Sequence, residues 1–280
     1  MTAPLSGVPN LPDRPAGSEA PAVVAAGLRK RFGPVDAVDG LGLGVPRGAV
    51  YGLVGPDGAG KTTTLRLLCG IVGADAGEMR VAGCDVRRDP ERVKRRVGYL
   101  AQRFALYGDL TVGENIRFFA DVYGVPRAAR EARTAELLTL TQLAPFTGRL
   151  AEYLSGGMRQ KLGLVCALIH RPEVLFLDEP TSGVDPPARR DLWRLLHRLN
   201  REGLTLVVAT PYMDEAVRCH VVGFMQRGRL LAEGPPAALA ARLGAGGDRR
   251  VEAHLEDAFI ALSAGRVAGE TPATPGRGGE

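Results

Sequence analysis

The chain has 280 residues, of which 45% are hydrophobic, 24% charged and 5% aromatic, and its formal net charge is +5. That apolar content excludes a chain disordered throughout. No stretch approaches the roughly 18 uncharged apolar residues of a membrane-spanning helix; the longest apolar runs, 203–209 and 221–226, are strand-sized. The length suits one large or two modest domains. Four of the 36 basic residues are Lys (30, 61, 94 and 161) and the rest are Arg. They are scattered, and the one dense run, Arg87 to Arg96, fits a solvated helix face, so the charge reads as composition rather than as a nucleic-acid surface. Cys69, Cys84, Cys166 and Cys219 have no CxxC spacing and read as small apolar residues in a reducing compartment. The first residues, MTAPLSGVPN, lack the basic start and apolar run of a signal peptide, so the chain is expected to stay in the cytoplasm.

In chain order, residues 1–21 carry Pro4, Pro9, Pro12, Pro15 and Pro21 and are expected to be a disordered lead-in. Strands are expected at 23–24, 49–54 and 78–82, with a helix at 60–69 between the last two. A largely helical stretch follows from about 111 to 170. A strand (174–177), a helix (187–201), a strand (204–209), a helix (213–219) and two short strands (221–226 and 229–233) complete the core. Residues 264–280, rich in Gly, Thr and Pro, read as a second loose end. Alternating elements of this kind predict an α/β fold with a largely parallel sheet, and the helical middle reads as an inserted subdomain.

Residues 55–62 read Gly-Pro-Asp-Gly-Ala-Gly-Lys-Thr between an apolar strand and a helix. This is the P-loop pattern. Gly55, Gly58 and Gly60 let backbone N–H groups wrap phosphate oxygens, and the helix N-terminus adds its positive end. Lys61 neutralises the β- and γ-phosphates, Thr62 is the expected Mg²⁺ ligand, and Thr63 reaches the α-phosphate side. Asp57 places a carboxylate in a loop built for anions, at small cost if it points outward.

Residues 174–179 read Val-Leu-Phe-Leu-Asp-Glu. Four apolar residues suit a strand buried on both faces, and the two carboxylates fall at its C-terminal end, where α/β sheets place ligands. Asp178 is expected to hold Mg²⁺. Glu179 points the other way and can orient or deprotonate an attacking water.

Residues 154–160 read Leu-Ser-Gly-Gly-Met-Arg-Gln before a predicted helix. Ser155, Gly156 and Gly157 form a second anion site at a helix N-terminus. One nucleotide cannot easily use two sites about a hundred residues apart in one subunit. The economical arrangement is a dimer, with ATP between the P-loop of one subunit and this loop of the other.

With these motifs in place, the sequence resembles the ATP-binding subunit of an ABC transporter over residues 22 to about 262. Five motifs occur in order. They are the P-loop, Gln102 at the Q-loop position, the signature at 154–158 (with Met158 where the family usually has Gln), Asp178 and Glu179 at the Walker B positions, and the D-loop 182–185 ending in Asp185. The resemblance implies a P-loop NTPase of ABC type, with a mixed sheet core and an inserted helical subdomain (about 103–170) in an ATPase domain spanning 22–244. It implies ATP and Mg²⁺ as cofactors, Glu179, Gln102 and Lys61 as catalytic residues, and Thr62, Gln102 and Asp178 around the metal. Phe32 takes the adenine-stacking position and Asp185 crosses to the second subunit. The tail at 245–263, with His254-Leu255-Glu256-Asp257-Ala258-Phe259, resembles that of type-2 exporters, which move drugs, lipids or polysaccharides outward; 211–216 resembles the same branch. The implied partners are a transmembrane permease and a second ATP-binding subunit, identical or not, at the cytoplasmic face of the plasma membrane, with no nucleic acid. Residues 103–110 and the helix at 112–123, with Phe104, Leu106 and Tyr107, would receive the permease.

One position departs from the family. Pro211 stands where a switch His is expected, and Pro has neither a side-chain donor nor a backbone N–H. Binding and dimer closure are expected to persist while hydrolysis slows. His220, nine residues on, is not expected to substitute. Alternatives are a weakened regulatory subunit, one paired with an intact partner, and a non-transport ABC ATPase.

Overall fold

The computed structural model describes residues 20–102, 106–243 and 251–264. Phe104, most of the 1–21 and 264–280 segments, and the junction at 244–250 lie outside the described residues.

Two sheets carry the fold. The first is antiparallel, in the order β2-β1-β4-β5, built from β1 (Val23–Phe32), β2 (Val35–Val45), β4 (Ala76–Val81) and β5 (Cys84–Asp85). The second has six strands. In order they are β10 (Arg229–Gly234), β9 (Val221–Gln226), β3 (Val50–Val54), β8 (Thr205–Thr210), β7 (Val174–Asp178) and β6 (Val97–Leu100). Only the β9–β10 pair in it is antiparallel. The core is therefore mixed, as the family resemblance implies.

Residues of β3, β7 and β8 alternate between two apolar clusters. Val50, Val54, Leu175, Leu177, Leu206 and Val208 face one, and Tyr51, Leu53, Val174, Phe176, Val207 and Ala209 face the other. Side chains on a strand point alternately to its two faces, and both faces here are covered, so these strands are continuously apolar. The first cluster includes α3 (Val112–Val122), α4 (Arg127–Thr141), α5 (Gly156–Leu168) and α6 (Pro186–Arg201). The second packs α1 (Lys61–Leu68) and the antiparallel sheet.

The helical middle holds the expected helices. α3 begins with a reciprocal capping box, in which Thr111 Oγ1 accepts from Glu114 N and Glu114 Oε2 accepts from Thr111 N. The expected strand at 23–24 extends to ten residues, and β2, β5 and β6 were not anticipated. Strand β2 reads Val-Asp-Ala-Val-Asp-Gly-Leu-Gly-Leu-Gly-Val, whose glycines and aspartates depress strand propensity until pairing with β1 overrides it. The basic run 87–96 forms only a five-residue helix, α2 (Pro90–Lys94), capped by Asp89. The helix expected at 213–219 is α7 (Met213–Ala216). Two further helices, α8 (Pro236–Leu243) and α9 (Val251–Ser263), follow, and Leu255 and Ala258 of α9 are buried. Among the described residues no helix is long and apolar enough to cross a membrane.

Candidate functional site

Parallel pairing brings the C-terminal ends of β3, β7 and β8 side by side, with Val54 opposite Thr210 and Asp178 opposite Ala209. The loop after β3 opens onto a concavity of about 470 Å³ lined in part by Val35, Asp57, Gly58, Gly60, Lys61, Thr62, Thr63, Gln102 and Glu179. Its tight turn needs glycine at two places. A Cβ on Gly55 would lie 2.1 Å from Met225 O, and one on Gly60 would lie 2.2 Å from Ala37 O, with φ already +105°. Gly60 starts α1 with no side-chain cap, so the first N–H groups of this helix are left for an anion.

Lys61 is 4% exposed. Its Nζ donates to Gly55 O at 2.8 Å and Pro56 O at 3.0 Å and lies 3.9 Å from Glu179 Oε1. Burial pushes its ammonium below the usual lysine range, while Glu179, Asp57 and Asp178 pull it back. Asp57 is exposed, yet it lines the concavity and acts electrostatically on Lys61 and Glu179. The Thr62 hydroxyl donates to Asp178 Oδ1 at 2.9 Å. Asp178 is buried, and its other oxygen, Oδ2, accepts from the Tyr99 hydroxyl at 3.1 Å.

Glu179 follows in the left-handed region, at φ 49°, with its N–H donating to Ala209 O at 2.9 Å. Such a conformation in a non-glycine residue is held against a cost of order 1–3 kcal/mol. Its Oε2 accepts from Gln102 Nε2 at 2.7 Å. Burial raises its pKa above the ordinary carboxylate value; Lys61 opposes this, Asp57 and Asp178 add to it, and the Gln102 bond opposes it.

The Walker-type residues, Gln102 and Glu179 are thus brought together. Ser155, Gly156, Gly157 and Asp185 are not among the residues that line the concavity. Ser155 Oγ caps α5 by accepting from Met158 N at 3.3 Å, and Ser155 and Gly156 are exposed. Asp185 Oδ1 caps α6 by accepting from Ala188 N at 2.9 Å, with Pro186 and Pro187 as the next residues. Phe32, at the end of β1, is 50% exposed, with Lys30 Nζ 5.3 Å from its ring centre, so it is not a core residue. Pro211 follows the last residue of β8, whose carbonyl accepts from Gly55 N at 3.3 Å, so the segment abuts the P-loop. His220 lies at the opposite end of β3, where its Nδ1 accepts from Val50 N at 2.9 Å.

Sequence reasoning passed over Tyr99 and Glu215. Tyr99 reaches Asp178 because β6 pairs with β7, and strand order is not written in a linear motif. Glu215 is fully buried, accepts from the Thr181 hydroxyl, and accepts from Trp193 Nε1 at 3.3 Å. It ties α7 to the segment after Glu179 and to α6. A Glu in a short polar helix gave no sign of burial.

The donors around Thr62 fit a hard cation. They are a hydroxyl and a buried carboxylate, with a side-chain amide nearby, all oxygen-bearing groups suited to Mg²⁺. One carboxylate is enough where phosphates and water complete the shell.

Residues 38–182 match the ABC transporter family model, described as "ABC transporter". The chain is 49% identical over 215 residues to the probable multidrug ABC transporter ATP-binding protein YbhF of Escherichia coli, an alignment covering 76% of this chain and 37% of that protein. The chain thus spans little more than a third of that relative's length. It is 40% identical over 226 residues to the Nod factor export ATP-binding protein I of Ralstonia nicotianae, covering 80% of this chain and 70% of that protein. A solved structure of the ATP-binding subunit of an ABC transporter superposes with a TM-score of 0.76 at 26% identity, covering 86% of this chain and 99% of that one. A P-loop, a Walker B pair and a signature loop arranged on this fold agree with all three likenesses, and the chain belongs to the ABC transporter ATP-binding family.

Proposed function

We propose that this chain is the ATP-hydrolysing subunit of an exporter, working at the cytoplasmic face of a membrane. The observation that carries the reading is the convergence of Lys61, Thr62, Glu179 and Gln102 on one concavity at the sheet's C-terminal edge, with the buried Asp178 hydrogen-bonded to Thr62 behind it. The uncapped start of α1 and Lys61 bind the β- and γ-phosphates of ATP, and Phe32 stacks on adenine. Thr62 and Asp178, with Gln102 lining the same concavity, would hold Mg²⁺, which would supply charge neutralisation on the phosphates. Glu179, its pKa raised above the ordinary carboxylate value by burial, orients the attacking water and accepts its proton. Ser155, Gly156 and Asp185, exposed on the same chain, and the half-buried Gly157, all away from the cavity lining, serve the nucleotide of a second ATP-binding subunit.

The resemblance of α9 to an exporter tail and the names of the relatives, which include a Nod factor export protein, support the outward direction. Tyr107 and Phe118 support a permease docking beside Gln102. They are both exposed, pack edge to face at 4.7 Å, and stand with exposed Val122 on and near α3. The test is phosphate release from MgATP by the full chain, alone and with its co-purified membrane subunit, in wild type and Glu179→Gln. Capture of a polytopic membrane protein from detergent-solubilised membranes, lost in Tyr107→Asp/Phe118→Asp, is the expected second result. Equal phosphate release by both proteins, or capture that survives the double substitution, would sink the reading.

Pro211 favours a second form of the same reading. A site whose switch position offers no donor hydrolyses slowly by itself. In that form the chain closes on a different ATP-binding subunit that carries the intact switch residue. Mixing the two purified subunits and finding no gain in turnover over this chain alone would exclude the pairing.

A further inference from the structure

We propose that Tyr99 is a positioning residue for the metal-binding carboxylate, and that it ties the Mg²⁺ site to the strand that leads into Gln102. The inference rests on the reading of Thr62 and Asp178 as metal ligands. Asp178 is 1% exposed, and each of its oxygens meets one hydroxyl, Thr62 Oγ1 at 2.9 Å and the Tyr99 hydroxyl at 3.1 Å. An ionised carboxylate only accepts, so the phenolic proton of Tyr99 serves Oδ2, while the Tyr99 oxygen is in turn hydrogen-bonded by the Arg66 side chain. The division of labour follows. Oδ1 faces the P-loop, where the nucleotide's cation enters; Oδ2 is held from behind by a residue of a different strand.

The backbone makes this hold rigid. β6 runs parallel to β7, with Tyr99 opposite Phe176 and Leu100 opposite Leu177, so Tyr99 is fixed by sheet pairing rather than by a loop. Two residues beyond β6, Gln102 donates to Glu179 at 2.7 Å. The β6 strand and the two residues after it therefore reach both carboxylates of the Asp178-Glu179 pair, the first through Tyr99 and the second through Gln102. Any displacement of the segment around Gln102 by a docked partner is felt at Asp178 as well as at Glu179.

A buried carboxylate that loses its rear donor is free to rotate, and its Oδ2 is left without a partner. The expected consequence is a weaker metal site with an unaltered phosphate cradle. ATP binding to the full chain is measured by calorimetry in wild type and Tyr99→Phe, first in EDTA and then across a MgCl₂ series. In EDTA the two proteins bind ATP with the same affinity within about twofold. The MgCl₂ concentration at which affinity is half-maximally enhanced rises about tenfold in Tyr99→Phe, the size expected for one lost hydrogen bond to a charged group. An unchanged MgCl₂ midpoint overturns the assignment. So does an equal loss of affinity with and without Mg²⁺, which would make Tyr99 a packing residue only. A wild type whose ATP affinity ignores Mg²⁺ overturns the metal reading itself, an outcome distinct from either. Should Tyr99→Phe fail to fold, 3-fluorotyrosine at position 99 keeps the hydroxyl and gives a second readout. Its fluorine resonance shifts when MgCl₂ is added to the ATP-bound chain, and no shift refutes the proposal.

Discussion

Gln102 Nε2 donates to Glu179 Oε2 at 2.7 Å, and this bond makes the segment after β6 part of the environment of the proposed base. A hydrogen bond to the charged form of a carboxylate favours that form. Gln102→Ala removes it, and Glu179, already raised by burial, rises further. A protonated carboxyl cannot accept a proton from water, so activity is lost as pH falls through the raised value. The acid limb of the kcat profile therefore moves to higher pH in Gln102→Ala, with turnover reduced at neutral pH. Phosphate-release rates across the acidic range check this, and an unmoved limb contradicts it.

Pro211 abuts the P-loop through the Thr210 carbonyl and offers no donor. One well-placed donor to developing charge is typically worth about 10²–10³ in rate. Pro211→His is expected to raise kcat toward that range while the affinity for ATP stays nearly constant. Single-turnover hydrolysis alongside equilibrium ATP binding separates the two effects. Equal turnover in both proteins would show that this position does not limit the reaction.

Glu215 accepts from Thr181 and Trp193 in full burial. Glu215→Ala strands two buried donors and is expected to lower stability by at least about 2 kcal/mol. Glu215→Gln keeps an acceptor in place and loses less. Urea unfolding of the three proteins gives the comparison, and equal loss in Ala and Gln variants would show that the hydrogen bonds are not the source.

His170 stacks on Tyr123 with ring centres 3.8 Å apart, and its Nε2 lies 2.9 Å from Val97 O. Burial, aided by Arg133, depresses its pKa below the ordinary histidine value, against the favourable pull of Val97 O. A folded histidine with a lowered pKa takes up its proton later than the unfolded chain does. Stability from this residue is therefore whole at high pH and declines as pH falls through the unfolded value and on toward the folded one. The unfolding midpoint of wild type should drop as pH falls below the ordinary histidine range, and His170→Gln should flatten part of that drop. A variant with the same slope as wild type would assign the dependence to other groups, His197 among them, whose pKa burial also lowers.

The chemistry of the site was legible wherever it is local in sequence. The P-loop 55–62, the carboxylate pair after β7 and the Ser-Gly-Gly start of α5 each depend on neighbours within a few residues, so spacing alone located them. The uniformly apolar β3, β7 and β8 were equally plain, because burial on both faces leaves a continuous run. Strand β2 was missed because its partner β1 supplies the reason for its conformation. Tyr99 and Glu215 were missed for the same cause at the level of side chains.

By itself the sequence determined which groups stand at the candidate nucleotide site: a glycine-built anion cradle, one lysine, one hydroxyl and two adjacent carboxylates. Backbone geometry over the eight residues 55–62 suffices for the cradle, the lysine and the hydroxyl, and the strand end at 178–179 for the carboxylates. Only the tertiary structure decided what stands behind them. The parallel order β6-β7-β8-β3 sets Tyr99 against Asp178, Gln102 against Glu179 and Thr210 against Gly55, while sending His220 to the far end of β3. These relations join residues dozens of positions apart, and strand pairing, rather than any local preference, fixes them.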